Sequence, residues 1–262
     1  MFGWLHRRRK RPIPEALWQG VLARYPFLAA RPAGELAHLR DLAGRFLATK
    51  EFHGAQGLAI TDEMALAIAA QAVLPVLNLG LRWYDDFVGI VVHPDEVMAR
   101  RTVTDEDGVV HHYNEVLAGE AMEGGPVMLS WRDVAQAGDT AQDGYNVVIH
   151  EFAHKIDMRD GEPDGCPPLP SAGARQAWLA VMQAEYGAFR EQVVMAERFG
   201  GEPTWLDPYG AESVAEFFAV ACEAYFVNRE RFARSFSPLL SLFDSFFRFQ
   251  PPWDGPDVLS KQ

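Results

Sequence analysis

The stretch Val147-Val148-Ile149-His150-Glu151-Phe152-Ala153-His154-Lys155 carries the pattern H-E-x-x-H inside an apolar run. On a helix, residues four apart lie on one face about one turn from each other, so two imidazoles at this spacing can bind the same metal ion. Zinc accepts such ligands at about 2.0–2.1 Å. Glu151 follows the first histidine and would lie beside the metal, where it can take a proton from an activated water and deliver it to a leaving amine. The stretch therefore predicts a helix that binds one Zn²⁺ per chain through His150 and His154 and supplies Glu151 as the general base of a peptidase.

The residues around the motif favour a metal site over a chance match. Phe152 and Ala153 are apolar, and so are Val147–Ile149, which indicates a largely buried helix. Two histidines and a glutamate buried together without a metal would leave several polar groups unsatisfied. The alternative is a helix whose histidines meet water or backbone partners.

A catalytic zinc has three protein ligands, and the third is absent from the local sequence. No histidine follows His154, so the third ligand is a carboxylate or an upstream histidine. A downstream apolar helix offers Glu212, Glu216 and Glu223. Glu216 lies mid-helix, where an unpaired carboxylate would be costly, whereas the position of Glu212 near the helix start is explained by the helix dipole. The residues favour Glu216 and leave the others open.

Composition limits the class of protein. The chain has 262 residues, close to the size at which single cores stop growing. Its net charge of −12 argues against a nucleic-acid partner, which needs clustered Lys and Arg. The basic run at Arg7–Arg11 has no apolar stretch after it, so we expect no secretory signal, no membrane span and a cytoplasmic location. Cys166 and Cys222 lack metal-site spacing, and we expect both thiols to be inert.

The hydrophobic pattern changes twice along the chain. The first and last thirds have helical spacing, and the middle third has short β-branched runs. We expect an α+β fold of the zincin type, with a small mixed sheet packed against helices, in one domain spanning 1–262 (a helical part at 1–80 and a catalytic core at 85–250). The Asp160–Pro170 stretch, rich in Pro, Gly and Asp, is predicted as a surface loop. Predicted helices are 14–25, 34–49, 61–74, 146–158, 172–199, 211–227 and 238–247, and predicted strands are 87–92, 109–113 and 124–131.

Three segments together resemble the Mlc titration factor A family of bacterial zinc metallopeptidases. They are Gly125–Trp131, His150–Asp157 and Tyr209–Val220, and the resemblance covers most of the chain. It implies a fold related to the catalytic domain of anthrax lethal factor, in which a tyrosine precedes the ligand glutamate by seven residues. Tyr209 and Glu216 match that spacing, so the resemblance implies Glu216 as third ligand and Tyr209 as a site residue that can donate a hydrogen bond to an oxyanion.

The resemblance also implies a function and a rival to it. The first is aminopeptidase-like hydrolysis of small peptide substrates. The rival is a binding protein that sequesters a transcriptional repressor of the Mlc type. An intact H-E-x-x-H favours catalysis, because binding alone would not require Glu151, although both roles can coexist in one chain.

Two further sets of residues are expected near the site. The strand containing Val127, Met128, Leu129 and Ser130 is expected beside the zinc helix, where an edge strand would pair with extended substrate; the alternative is a core strand. Asp157 lies three residues after His154 and can orient an imidazole, or else pair with a neighbouring cation. We expect His93, His111 and His112 to lie outside the metal site.

Overall fold

The computed structural model describes residues 12–104 and 110–248; the basic run at Arg7–Arg11 lies outside these ranges. The first part of the chain is mainly helical. The fourth helix begins after Thr61, whose side chain accepts a hydrogen bond from the Met64 amide at 3.2 Å. A Ser, Thr, Asp or Asn at this position satisfies one of the free amides of a first turn. The helices are α1 (Glu15–Arg24), α2 (Pro26–Ala29), α3 (Ala33–Thr49) and α4 (Asp62–Ala72).

The chain contains a four-stranded mixed sheet, whose first strand lies between α3 and α4. The strands in chain order are β1 (Glu51–Gly54), β2 (Gly89–His93), β3 (Val97–Thr104), β4 (Val110–Leu117), β5 (Gly119–Ala121) and β6 (Val127–Ser130). The spatial order is β1-β2-β6-β5, in which β1, β2 and β6 are parallel and β5 is antiparallel to β6. Strands β3 and β4 form a separate antiparallel pair.

Six helices complete the described chain. Side-chain caps at Ser130, Asn146, Ser171 and Ser213 each accept a hydrogen bond from an amide of the first turn that follows, which fixes where four of these helices begin. The helices are α5 (Trp131–Thr140), α6 (Val147–Asp157), α7 (Ala172–Phe199), α8 (Val214–Val227), α9 (Arg229–Ser235) and α10 (Ser237–Phe247). Among the described residues, no helix combines the length and the apolar character needed to cross a bilayer.

Helix α6 lies at the centre of the core. All of its residues are buried, and its Phe152 ring packs against Phe46, Tyr84 and Phe87 at centroid distances of 5.6, 5.0 and 5.9 Å. These partners come from α3 and from the segment before β2, so the first part of the chain packs directly on the zinc-motif helix. One continuous cluster of buried apolar side chains extends from Ile13 to Phe247. This packing holds the motif on a rigid element.

The α+β class is confirmed, and the long helix α7 has the predicted bounds. Six elements were not predicted: β1, β3, β5, α2, α5 and α9. The predicted strand at 124–131 is shorter, because Ser130 ends it by capping α5. The expected surface loop is wrong in its centre, since Gly165 and Cys166 are buried where the Trp178 indole donates to the Gly165 carbonyl at 2.7 Å.

Candidate metal centre

Helix α6 places His150, Glu151 and His154 on one side of a cavity. Asn146 begins the helix by accepting from the Ile149 amide at 2.9 Å, so the two histidines occupy its middle turns. Both imidazoles and the Glu151 carboxylate are buried. Helix α8 packs against α6 and brings Glu216 to the same point.

The three expected ligand atoms form a nearly equilateral triangle. Oε2 of Glu216 lies 3.1 Å from Nε2 of His150 and 3.2 Å from Nε2 of His154, and the two Nε2 atoms are 3.2 Å apart. Bonds of 2.0–2.1 Å to a tetrahedral ion would place its ligands about 3.3 Å from each other. The spacing and the N, N, O donor set therefore fit a divalent cation of zinc size. Among the described residues, this is the single group of three or more His, Cys, Asp or Glu whose ligand atoms all lie within 4.8 Å of one another.

A second glutamate of α8 holds the other side of the His150 ring. Oε1 of Glu223 lies 2.8 Å from Nδ1 of His150, and Oε2 of Glu223 accepts from the Asn146 amide. The Asn146 side chain in turn donates to Gln71 of α4 at 2.8 Å. Such a carboxylate fixes the tautomer and direction of a ligand imidazole, leaving Nε2 for the metal. Glu223, an open alternative for the third ligand, thus contacts the nitrogen that faces away from the triangle.

The charges of the site agree with this arrangement. Burial raises the pKa of Glu151 to about 7 against the neighbouring histidines. Burial opposes ionisation of Glu216, yet hydrogen bonds to both imidazoles hold its pKa below the ordinary value. Burial also opposes protonation of His150, but its bonds to Glu216 and Glu223 raise its pKa well above the usual range. The site therefore favours positive charge between the imidazoles and Glu216, which is where a cation would bind.

The cavity beside the triangle has a volume of about 450 Å³. Tyr209 lines it from a 3-10 turn at Pro208–Ala211, and its ring lies 6.1 Å from the His150 ring between centroids. The Asp207 side chain accepts from the Tyr209 amide at 2.9 Å, which sets the turn just before α8. Tyr209, which the resemblance implies as a site residue, therefore lies close to His150.

Another part of the cavity wall is β5, with the preceding Ala118. Here the structure corrects a prediction: Val127, Met128, Leu129 and Ser130 form β6, which lies between β2 and β5 and has no free edge. Val127, Leu129 and Ser130 are buried, and Met128 is partly buried. β6 is therefore a core strand, which was the alternative to an edge strand, because the three-residue β5 takes the edge position.

The pairing of β5 defines which of its backbone groups face outward. Ala118 accepts from the Ser130 amide at 2.7 Å, and the Met122 amide donates to Pro126 at 3.4 Å. In an antiparallel pair the bonded residues alternate with residues whose N–H and C=O point away from the partner. Gly119 and Ala121 therefore direct both backbone groups away from β6, and no further strand of the described chain pairs with them.

Asp157 contacts the loop that follows its helix. Its Oδ2 accepts from the Gly165 amide at 2.8 Å, and its buried Oδ1 has no hydrogen-bond partner within the described residues. Burial, the largest effect, raises the pKa of this carboxyl to about 7. Asp157 thus fastens the loop to the end of α6, and orientation of an imidazole from this position stays a prediction.

His93 and Glu212 are not part of the triangle. His93 ends β2 with both ring nitrogens buried and without a partner among the described residues, while His111 and His112 lie on β4. Sequence reasoning missed Gln71 and Asn146, which support Glu223. The signal for Asn146 was its place directly before the motif helix, where a cap is expected.

Comparisons with known proteins indicate a metallopeptidase family. The family model described as "Glucose-regulated metallo-peptidase M90" matches residues 2–248. A protein named Mlc titration factor A from Edwardsiella ictaluri is 36% identical over 241 residues, which cover 92% of this chain and 88% of the relative. The protein of that name from Serratia proteamaculans is 35% identical, with 90% and 88% covered. An uncharacterized protein of Synechocystis, slr2042, is 34% identical over 254 residues, with 95% and 90% covered.

Proposed function

Because this chain belongs to the glucose-regulated metallopeptidase M90 family, we propose that it is a zinc peptidase that hydrolyses peptide bonds with activated water. The observation that carries the proposal is the triangle of His150, His154 and Glu216 with Glu151 beside it in one cavity. These donors suit zinc better than calcium or magnesium, which prefer oxygen ligands alone.

The metal and the residues have separate tasks. A bound zinc ion supplies Lewis-acid polarisation of the scissile carbonyl and lowers the pKa of water. Glu151 accepts the proton of the attacking water at its carboxylate and delivers it to the leaving amine. Burial raises the pKa of Glu151 to about 7, and the positive charge of a bound cation would lower it, which favours the ionised carboxylate that accepts the proton. No covalent intermediate with the protein is needed.

Tyr209 is proposed to stabilise the oxyanion. Its place in the cavity beside His150 supports a phenol that donates a hydrogen bond to the carbonyl oxygen as charge develops there. A Tyr209→Phe variant should lower kcat by about 10²-fold and leave zinc content unchanged. Unchanged kcat would refute this role.

The substrate is proposed to bind along β5. The outward N–H and C=O groups of Gly119 and Ala121 can pair with an extended peptide, which replaces the role first expected of β6. Glu96, Glu120 and Asp207 also line the cavity and give it an acidic rim. That charge favours a cationic amino terminus and supports aminopeptidase-like cleavage.

The direct test is elemental analysis of the purified chain together with hydrolysis of aminoacyl chromophores and blocked peptides. We expect about one zinc per chain, activity lost on chelation and restored by zinc, and faster cleavage of substrates with a free amino terminus. A chain that binds no zinc after supplementation would refute the enzyme. Equal cleavage of blocked and free substrates would refute the aminopeptidase assignment alone.

A second proposed role is capture of a transcriptional repressor. The names of the relatives from Edwardsiella and Serratia indicate that those proteins titrate Mlc. The role can be tested by a pull-down of a purified Mlc-type repressor with wild type and Glu151→Gln. Equal capture by both would show that binding is independent of hydrolysis, and no capture by either would refute the role.

A further inference from the structure

We propose that Gly119 is a positioning residue whose missing side chain provides the space in which the Glu151 carboxylate lies. The inference rests on the proposed function, because it concerns the placement of the proposed general base. Gly119 is not one of the ligands, and it belongs to a strand that local sequence did not predict.

The geometry leaves no room for a side chain at this point of β5. A Cβ built on Gly119 would lie 2.7 Å from Cγ and 2.8 Å from Cδ of Glu151, and nearer still to Oε1. Distances below 3.0 Å essentially never occur for real Cβ atoms. The carboxylate of α6 thus lies directly against the strand whose outward backbone groups are proposed to bind the substrate. Glycine brings the base and the bound peptide together.

The backbone of Gly119 does not itself require glycine. Seven glycines of the described chain have positive φ, and Gly119 is not one of them. What a side chain would meet is the Glu151 side chain from Cγ outward, which can change its rotamer. At Gly54 and Gly138, by contrast, a Cβ would meet a backbone carbonyl that cannot move alone. A methyl group at position 119 should therefore displace Glu151 and keep the fold.

The test compares Gly119→Ala with Gly187→Ala. Gly187 lies exposed in α7, and a Cβ there meets nothing within 4 Å, so this control should keep full activity. For Gly119→Ala we expect kcat to fall by about 10²-fold, the scale of a 1 Å misplacement of a catalytic group. KM, zinc content and Tm should stay near those of wild type. A wild-type kcat in Gly119→Ala would overturn the proposal.

A double variant tests whether Gly119 acts through Glu151. Substitutions that act through one group are not additive. Adding Gly119→Ala to Glu151→Gln should therefore lower kcat no further than Glu151→Gln alone. If kcat of the double variant falls well below that of Glu151→Gln, Gly119 acts through a group other than Glu151.

Crystal structures separate this inference from the proposed function. In Gly119→Ala we expect a displaced Glu151 carboxylate, with His150, His154 and Glu216 unmoved; an unmoved Glu151 overturns the proposal even if wild type cleaves no peptide. If Gly119→Ala lowers Tm, Glu151→Ala in the same chain should restore it by removing the clash. A Tm that stays low would place the strain elsewhere and also overturn the proposal.

Discussion

The two walls of the cavity arise from different kinds of information. The ligand side consists of His150, Glu151 and His154 on α6 with Glu216 and Glu223 on α8. The strand side is Ala118–Ala121, which includes β5. On the ligand side each candidate residue is fixed by its spacing along a helix. On the strand side the groups proposed to bind substrate are backbone atoms, and their direction depends on pairing with β6, so side-chain identity says little about them.

The largest expected difference between the two sides appears when a carboxylate is removed from each. Glu151→Gln should lower kcat by about 10²–10⁴-fold at full zinc occupancy, because it removes the proton acceptor and keeps the ligands. Glu120→Gln, on the strand side, should keep kcat within a few-fold of wild type. Steady-state kinetics with metal analysis checks both. A similar loss of kcat in both variants would mean that the base is not confined to the ligand side.

Within the ligand side, Glu223→Gln should weaken zinc binding by about 10–100-fold, because the variant loses the charge that holds Nδ1 of His150. Zinc competition with a chromophoric chelator measures this affinity. Glu230→Gln, an exposed change on α9, serves as the control. Unaltered zinc affinity in Glu223→Gln would show that the orientation of His150 does not depend on this carboxylate.

Lys155 links the two sides. Its buried ammonium donates to the carbonyls of Met122 at 2.7 Å and Gly125 at 3.2 Å, in the turn between β5 and β6. Lys155→Met should lower the free energy of unfolding by about 1–2 kcal/mol, because two carbonyls lose a donor. It should also raise KM several-fold as the strand side loosens, at unchanged zinc content.

Lys50→Met provides the matched control for that prediction. Lys50 is also buried and donates to carbonyls of Tyr84 and Phe87, neither of which belongs to the strand side. Its loss should lower stability, measured by urea unfolding, without changing KM. Equal KM values in the two variants would show that Lys155 does not affect substrate binding through the strand side.

The smallest effect concerns pH and Asp157. Its carboxyl has a folded-state pKa of about 7 against an ordinary 3.8, so it binds its proton more tightly in the folded state. The free energy of unfolding should therefore fall as pH rises from about 4 to about 7. Asp157→Asn should make this fall smaller in zinc-free protein, measured by urea unfolding at several pH values. Asp143→Asn, at an exposed position, should leave the slope as in wild type; an unchanged slope in Asp157→Asn would contradict the account.

The ligand side was largely predictable from sequence, for physical reasons. The spacing of His150 and His154, an acid in an apolar helix at Glu216 and the family resemblance all depend on local pattern. Glu216 and Glu223 lie two turns apart on one face of α8, and sequence could not decide which ring nitrogen each would contact. That choice depends on how α8 packs on α6.

The strand side could not be predicted in the same way. β5 has three residues, one of them glycine, and owes its strand conformation to pairing with β6. The sequence therefore favours Val127–Ser130 as the edge, because its strand pattern is stronger. The burial of Gly165 and Cys166 has the same cause. The composition of the loop indicates exposure to solvent, but Asp157 and Trp178, which lie before and after it in the chain, form hydrogen bonds with Gly165.

The third ligand is tested by comparing the zinc content of Glu216→Ala with that of Glu212→Ala, measured by elemental mass spectrometry on folded protein. We expect Glu216→Ala to retain less than about a tenth of the wild-type zinc after dialysis, because one of three ligands is lost, and Glu212→Ala to retain all of it. Full zinc in Glu216→Ala, or loss of zinc in Glu212→Ala, would contradict the His150, His154 and Glu216 site.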